Sequence, residues 1–261
     1  MKHLFYLLFL AYAQQIYGNL LGDQAAQERR PYLYDRQYSL NPIPIHPRST
    51  PPPSFCKKLQ QEKRFEGQIQ AYLKHDKIMP PQKGQVLFLG GSVISEWKNL
   101  KKQMSPLKVL CRAFGGASTE DLLVRTEQII LPYKPHIIVY YGGSNDLTLG
   151  NSPEEVYENI KAFSDTIRKH LPKTKIVFLA IQQSPSAALL SDEIQSANKK
   201  IELLCKGSPQ RIYLDLHDRL SPSTSLFYQE DQLHLTELGY EEMASQIKPV
   251  LNTESFLSKT F

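Results

Sequence analysis

The chain has 261 residues, 41% of them apolar, and a formal net charge of +5. That length and composition suit one sizeable α/β domain plus an extension. The positive charge is scattered, without a basic run interleaved with aromatics, so nucleic acid is not an expected partner.

The N-terminus reads first as targeting. Lys2 and His3 precede an apolar run from Leu4 to Ala13, and Ala11-Tyr12-Ala13 has the small-x-small form of a cleavage site before Gln14. This predicts a secretory signal peptide within residues 1–18, cleaved after Ala13, and hence a secreted or cell-envelope (periplasmic) location. An uncleaved anchor is the alternative. The run is too short for an integral membrane span, which takes about twenty residues. Residues 19–54 are polar, rich in Pro and Arg, and end in Pro51-Pro52-Pro53. They show no apolar periodicity and predict a linker or disordered arm. The folded domain is expected over residues 55–255. Of the three cysteines, Cys111 and Cys205 fall in apolar elements as core thiols. Cys56 lies at the domain edge, and the odd count leaves at least one thiol free.

Within the domain, a helix is predicted over about Leu59–Lys74, where Phe65, Ile69 and Tyr72 recur at helical spacing. Short apolar runs then predict strands at Val86–Leu89, Val109–Cys111, Ile137–Tyr141, Ile176–Ala180 and Ile212–Leu214. Helical stretches separate them near Thr119–Ile130, Pro153–His170 and Asp192–Cys205, and a last one covers Thr236–Leu251. Pro153 followed by Glu154 and Glu155 is a strong helix start, because proline suits the first turn and acids suit its positive end. Strands apolar throughout, joined by crossover helices, predict a parallel sheet covered on both faces.

In open α/β sheets, sites form at the carboxyl ends of strands. Candidate residues fall there in four blocks. Ser92 follows the first strand, in V-L-F-L-G-G-S. Gly116 follows the second, in C-R-A-F-G-G-A-S. Asn145 follows the third, in I-I-V-Y-Y-G-G-S-N-D. Asp231 and His234 follow the fifth, in D-Q-L-H-L. A serine hydroxyl needs a base to take its proton. His234 suits that role, with Asp231 three residues earlier to orient the ring and stabilise the imidazolium. The Ser92 and Gly116 N–H groups and the Asn145 amide are candidate oxyanion donors. Singly, each residue has an ordinary explanation: Ser92 as a helix cap, the paired glycines as turns, Asn145-Asp146 as a loop pair, Asp231 as a cap for the last helix. Their joint order at matching strand ends argues for catalysis. Asp215, His217 and Asp218 lack a convincing third ligand, so no metal is expected. Without a G-x-G-x-x-G or a P-loop lysine, no nucleotide cofactor is expected either.

These blocks resemble those of the SGNH hydrolases, also called GDSL-type esterases and lipases, over about Phe65 to Leu251. The nearest likeness is to the branch with an F-x-G-S-S-S-I nucleophile block. The resemblance implies a three-layer α/β/α sandwich with a five-stranded parallel sheet, flavodoxin-like, and no cofactor. It places the nucleophile on Ser92, the oxyanion donors on Ser92, Gly116 and Asn145, and the remaining triad members on Asp231 and His234. It implies ester substrates: short acyl chains, carbohydrate O-acetyl groups or lysophospholipids. Four positions depart from the pattern. Gly91 stands where Asp or Ser is usual, Ala113 where glycine is, Ser144 where Asp or Glu is, and Gln232 where the glycine of D-G-x-H is. A catalytically inactive carbohydrate- or lipid-binding protein on the same fold is the alternative function, and a structural secreted protein centred on the Pro-rich arm a further one.

Overall fold

Five apolar runs become five strands: β1 Val86–Gly90, β2 Val109–Cys111, β3 Ile137–Tyr141, β4 Lys175–Leu179 and β5 Arg211–Leu214. All pair in parallel, in the order β2-β1-β3-β4-β5. The computed structural model describes residues 64–252. The expected signal peptide, the Pro-rich arm, Cys56 and both ends of the 55–255 domain lie outside the described residues.

The helices are α1 Glu66–Ile78, α2 Ser92–Ser95, α3 Leu100–Gln103, α4 Thr119–Val124, α5 Thr126–Ile129, α6 Ser144–Thr148, α7 Pro153–His170, α8 Ser191–Cys205 and α9 Glu237–Asn252. Alternate strand residues feed two separate cores. Val86, Phe88, Val139 and Val177 pack with Ile94 and Leu100 of α2 and α3 and with Met243 and Ile247 of α9. Leu87, Leu89, Ile138 and Phe178 pack with Ile69, Leu122, Ile129, Phe163 and Ile201 from α1, α4, α5, α7 and α8. With both faces covered, period-two polarity disappears from the strands, and they read as unbroken apolar runs. The result is the expected three-layer α/β/α sandwich.

The strand order fixes where a ligand goes. From β1 the chain adds β2 on one side and then β3 to β5 on the other, and the switch point between β1 and β3 opens a crevice beyond the carboxyl ends of those parallel strands. Ser92 and Asn145 follow β1 and β3 directly.

Local chemistry accounts for several element boundaries. Ser152 and Glu155 form a reciprocal capping box with Pro153 in the first turn of α7, as its sequence predicts. Ser118 and Asp121 do the same for α4. The helix expected over Thr119–Ile130 is broken into α4 and α5 at Arg125, where the Thr126 hydroxyl donates back to the Leu122 carbonyl at 3.1 Å. Helix α1 extends past the predicted end at Lys74, and a buried arginine ties it to the sheet. Arg112 lies between the rings of Tyr72 and Tyr133, 4.8 and 4.6 Å from their centroids, and forks onto Asp76 at 2.7 and 2.6 Å. Cys111 and Cys205 are free thiols, and burial pushes both up. Among the described residues no helix is long and apolar enough to cross a membrane.

Candidate active site

The turn carrying Ser92 is built on close approach. β1 ends at Gly90, and α2 begins at Ser92 with Gly91 as its preceding residue. The first N–H groups of a helix have no intrahelical acceptor, so the Ser92 N–H is available for another. A Cβ on Gly91 would lie 2.8 Å from Asn145 Nδ2. The departure at position 91 therefore has a steric reason: in this chain the Asn145 amide occupies the space that a side chain there would need.

Asn145 lies in the first turn of α6 and donates from Nδ2 to the Ala117 carbonyl at 2.9 Å, which links the third block to the second. An amide nitrogen carries two hydrogens, so one donor remains. Gly116, between β2 and α4, has φ 78°. That left-handed backbone favours glycine. A Cβ there would meet nothing within 4 Å, so conformation rather than crowding explains this residue. Among the described residues nothing accepts a hydrogen bond from its N–H.

The D-x-x-H loop is tied at its base by a bridge between Tyr228 and Leu235 and by the Gln229 N–H donating to the His234 carbonyl at 2.8 Å. Asp231 uses both oxygens. Oδ1 accepts the Leu233 and His234 N–H groups at 2.9 and 3.0 Å, and Oδ2 lies 2.5 Å from His234 Nδ1. Burial pushes the Asp231 carboxyl up, but these hydrogen bonds outweigh it and hold the group below its usual range. Thr236, whose hydroxyl accepts the Gly239 N–H at 3.2 Å, caps α9. Asp231 is thus not needed as that cap. Gln232 adopts φ 59°, the left-handed region that explains glycine's usual place in D-G-x-H.

His234 Nε2 is buried and has no hydrogen-bond partner. Ser92 Oγ and Nε2 are therefore not hydrogen-bonded to each other. Such contacts are often long without substrate and tighten on binding. The ring nonetheless lies at the Ser92 turn: Nε2 is 3.6 Å from Oε1 of Glu96, the residue that follows α2.

Two polar residues escaped the sequence reading. Asp146, expected only as half of a loop pair, is fully buried and accepts from the Thr119 N–H at 2.9 Å and the Thr119 hydroxyl at 2.6 Å. It clamps α4, just beyond Gly116, against the Asn145 turn. Burial raises its carboxyl above the usual range despite the Thr119 hydrogen bonds. The available signal was its position, at a strand end beside Asn145. Glu96 gave no signal, since its neighbour His234 is remote in sequence. By contrast, Asp215 accepts the His217 N–H at 2.9 Å and forms only a local turn. Among the described residues no three His, Cys, Asp or Glu side chains converge as metal ligands.

Comparison with known proteins gives this geometry a lineage. Residues 92–242, more than half of the chain, match the model of the GDSL-like lipase/acylhydrolase family. No curated protein matches significantly. Among solved structures, a Streptococcus pneumonia protein described as a platelet activating factor superposes with TM-score 0.63 at 20% identity, covering 76% of this chain and 99% of its own. A GDSL-like lipase from Bacteroides thetaiotaomicron gives 0.61 at 17% identity, covering 70% and 96%. A carbohydrate esterase family 3 protein from Talaromyces cellulolyticus gives 0.56 at 15%, covering 66% and 98%. These structures share the fold. With the family match running from Ser92 through the D-x-x-H loop, the chain is a member of the GDSL-like lipase/acylhydrolase family of SGNH hydrolases.

Proposed function

We propose that this chain is a secreted serine esterase that hydrolyses carboxylic esters of acyl, O-acetyl or lysophospholipid type through an acyl-enzyme. One observation carries the reading. His234 is held at Nδ1 by Asp231, while its other nitrogen is buried, without a hydrogen-bond partner and adjacent to the turn that bears Ser92.

In this mechanism the Ser92 Oγ–H proton passes to His234 Nε2 as Oγ bonds to the ester carbonyl carbon. The carbonyl oxygen takes up negative charge, which the Ser92 N–H, the Gly116 N–H and the second Asn145 hydrogen stabilise. The imidazolium, steadied by Asp231, returns the proton to the departing alkoxide and frees the alcohol. Water then attacks the acyl-enzyme with His234 again as base, releasing the acid and restoring Ser92. Export by the Lys2–Ala13 segment is part of the same proposal.

The test is hydrolysis of a p-nitrophenyl ester panel from acetate to decanoate by wild type and Ser92→Ala. The reading predicts turnover that Ser92→Ala abolishes while the circular dichroism spectrum is retained. Equal turnover by the variant would refute the nucleophile. A folded wild type with no turnover on any ester would favour the binding protein on the same fold.

A further inference from the structure

Both ring nitrogens of His234 face a carboxylate. Asp231 Oδ2 is 2.5 Å from Nδ1, and Glu96 Oε1 is 3.6 Å from Nε2. The first is the expected triad contact. The second lies on the side that must receive the Ser92 proton. At 3.6 Å it is too long for a hydrogen bond, yet within ion-pair reach of a protonated ring.

We propose that Glu96 is a positioning residue that pairs with the protonated His234 ring at Nε2, so that it steadies the ring during turnover and blocks it at low pH. This rests on His234 acting as the base.

The two effects share one cause. During attack Nε2 carries the proton taken from Ser92, and a nearby carboxylate stabilises that charge. When the medium supplies the proton instead, the same carboxylate holds it on Nε2, and the ring cannot accept from Ser92. Glu96 is free to move between these states, since its side chain is 45% exposed. It also borders a cavity of about 230 Å³ that it shares with Lys98, Glu237 and Tyr240.

The other charged and titratable groups near the ring do not supply this function. Asp231, on the ring's own loop, is committed to Nδ1 and two backbone N–H groups. Tyr240, from α9, donates its hydroxyl to the Val93 carbonyl at 2.8 Å, and burial pushes that hydroxyl up, so it stays neutral. Glu237, also on α9, accepts from Asn99 Nδ2 at 2.5 Å. Lys98 lines the shared cavity but makes no ion pair with Glu96 among the described residues.

The experiment compares wild type, Glu96→Gln and Glu96→Asp as the full folded domain with its native termini. The first readout is kcat and KM on the best p-nitrophenyl ester from pH 4.5 to 9. In Glu96→Gln the acid limb should move to lower pH by about half a unit to one unit, reduced from a buried pair by solvent screening. The plateau kcat should fall about two- to five-fold with KM unchanged, and Glu96→Asp should lie between. The second readout needs no turnover: the His234 C2–H resonance, assigned by its loss in His234→Ala, is followed through the same pH range. Its midpoint should fall by the same amount in Glu96→Gln. Superimposable profiles and resonances in wild type and Glu96→Gln, or a shift to higher pH, would overturn the role of Glu96. If wild type lacked esterase activity while the resonance still shifted, the pairing would stand and the esterase reading would fail.

Discussion

Asp231 binds the backbone of His234 with one carboxylate oxygen and its ring with the other, at 3.0 and 2.5 Å. A single side chain thus sets both where the histidine sits and which way its ring faces. Asp231→Asn keeps an oxygen for the backbone but places an amide N–H against Nδ1, which favours the wrong tautomer. The expected result is a fall in kcat of up to about 10⁴ with little loss of fold. Steady-state kinetics beside a thermal melt checks it; a variant within a few-fold of wild type would remove Asp231 from the mechanism.

The absence of a side chain at position 91 leads to a counterintuitive expectation. Gly91→Ser brings this chain closer to the usual family block, yet its Cβ would meet Asn145 Nδ2 at 2.8 Å. Displacing that amide would remove a donor of the proposed oxyanion hole, so kcat should fall by up to about 10² while KM changes little. Kinetics of Gly91→Ser beside Asn145→Ala checks this, because the two losses share a cause and the double variant should be no worse than the poorer single one.

Much of the fold was legible because a parallel sheet buried on both faces writes itself as short apolar runs. All five strands lie within a residue or two of their expected bounds. The candidate site was legible for a related reason: strand order sends Ser92, Gly116, Asn145 and His234 to one edge. What escaped notice depends on contacts between distant segments. Asp146 looks like a loop carboxylate until Thr119 folds over it. Glu96 acquires meaning only when the D-x-x-H loop returns to the Ser92 turn. Helices α2, α3 and α6, of four or five residues, are too short to display periodicity.

Asp146 should matter for both stability and rate. Asp146→Ala strands the buried Thr119 N–H, at a cost of about 1–3 kcal/mol. It also loosens the segment that follows Gly116, so kcat should fall too. The pH dependence has a definite sign. Because burial raises the folded-state carboxyl, the stability it contributes is full below its unfolded value near 3.8 and fades as pH rises through the folded value. Asp231, held below 3.8, contributes stability above that value and loses it as pH falls. Asp146→Asn should therefore favour neutral over acidic pH relative to wild type, and Asp231→Asn the reverse. The second effect should be smaller, since Asp231 is 47% exposed. Melting temperatures from pH 3 to 7 decide the matter.

Gln232 holds a left-handed backbone at φ 59° while its carbonyl accepts the Ser186 N–H at 3.1 Å. For a residue with a Cβ this conformation costs about 1–2 kcal/mol, and a β-branched side chain tolerates it least. Gln232→Gly should retain stability and activity. Gln232→Val should lose about 1 kcal/mol or more and, by distorting the Asp231–His234 loop, lower kcat. Thermal melts and kinetics of the two variants measure the contrast.

In the proposed mechanism Ser92 is the nucleophile and His234 its base. Treating the protein with a fluorophosphonate probe at pH 8 and mapping the adduct by mass spectrometry tests it most directly, because the probe forms its phosphorus–oxygen bond only with an activated hydroxyl. One adduct is expected, on Ser92, absent from Ser92→Ala and formed at least about 10²-fold more slowly in His234→Ala, in keeping with the usual worth of a positioned base. An adduct on another residue, or labelling of Ser92 at the same rate without His234, would contradict it.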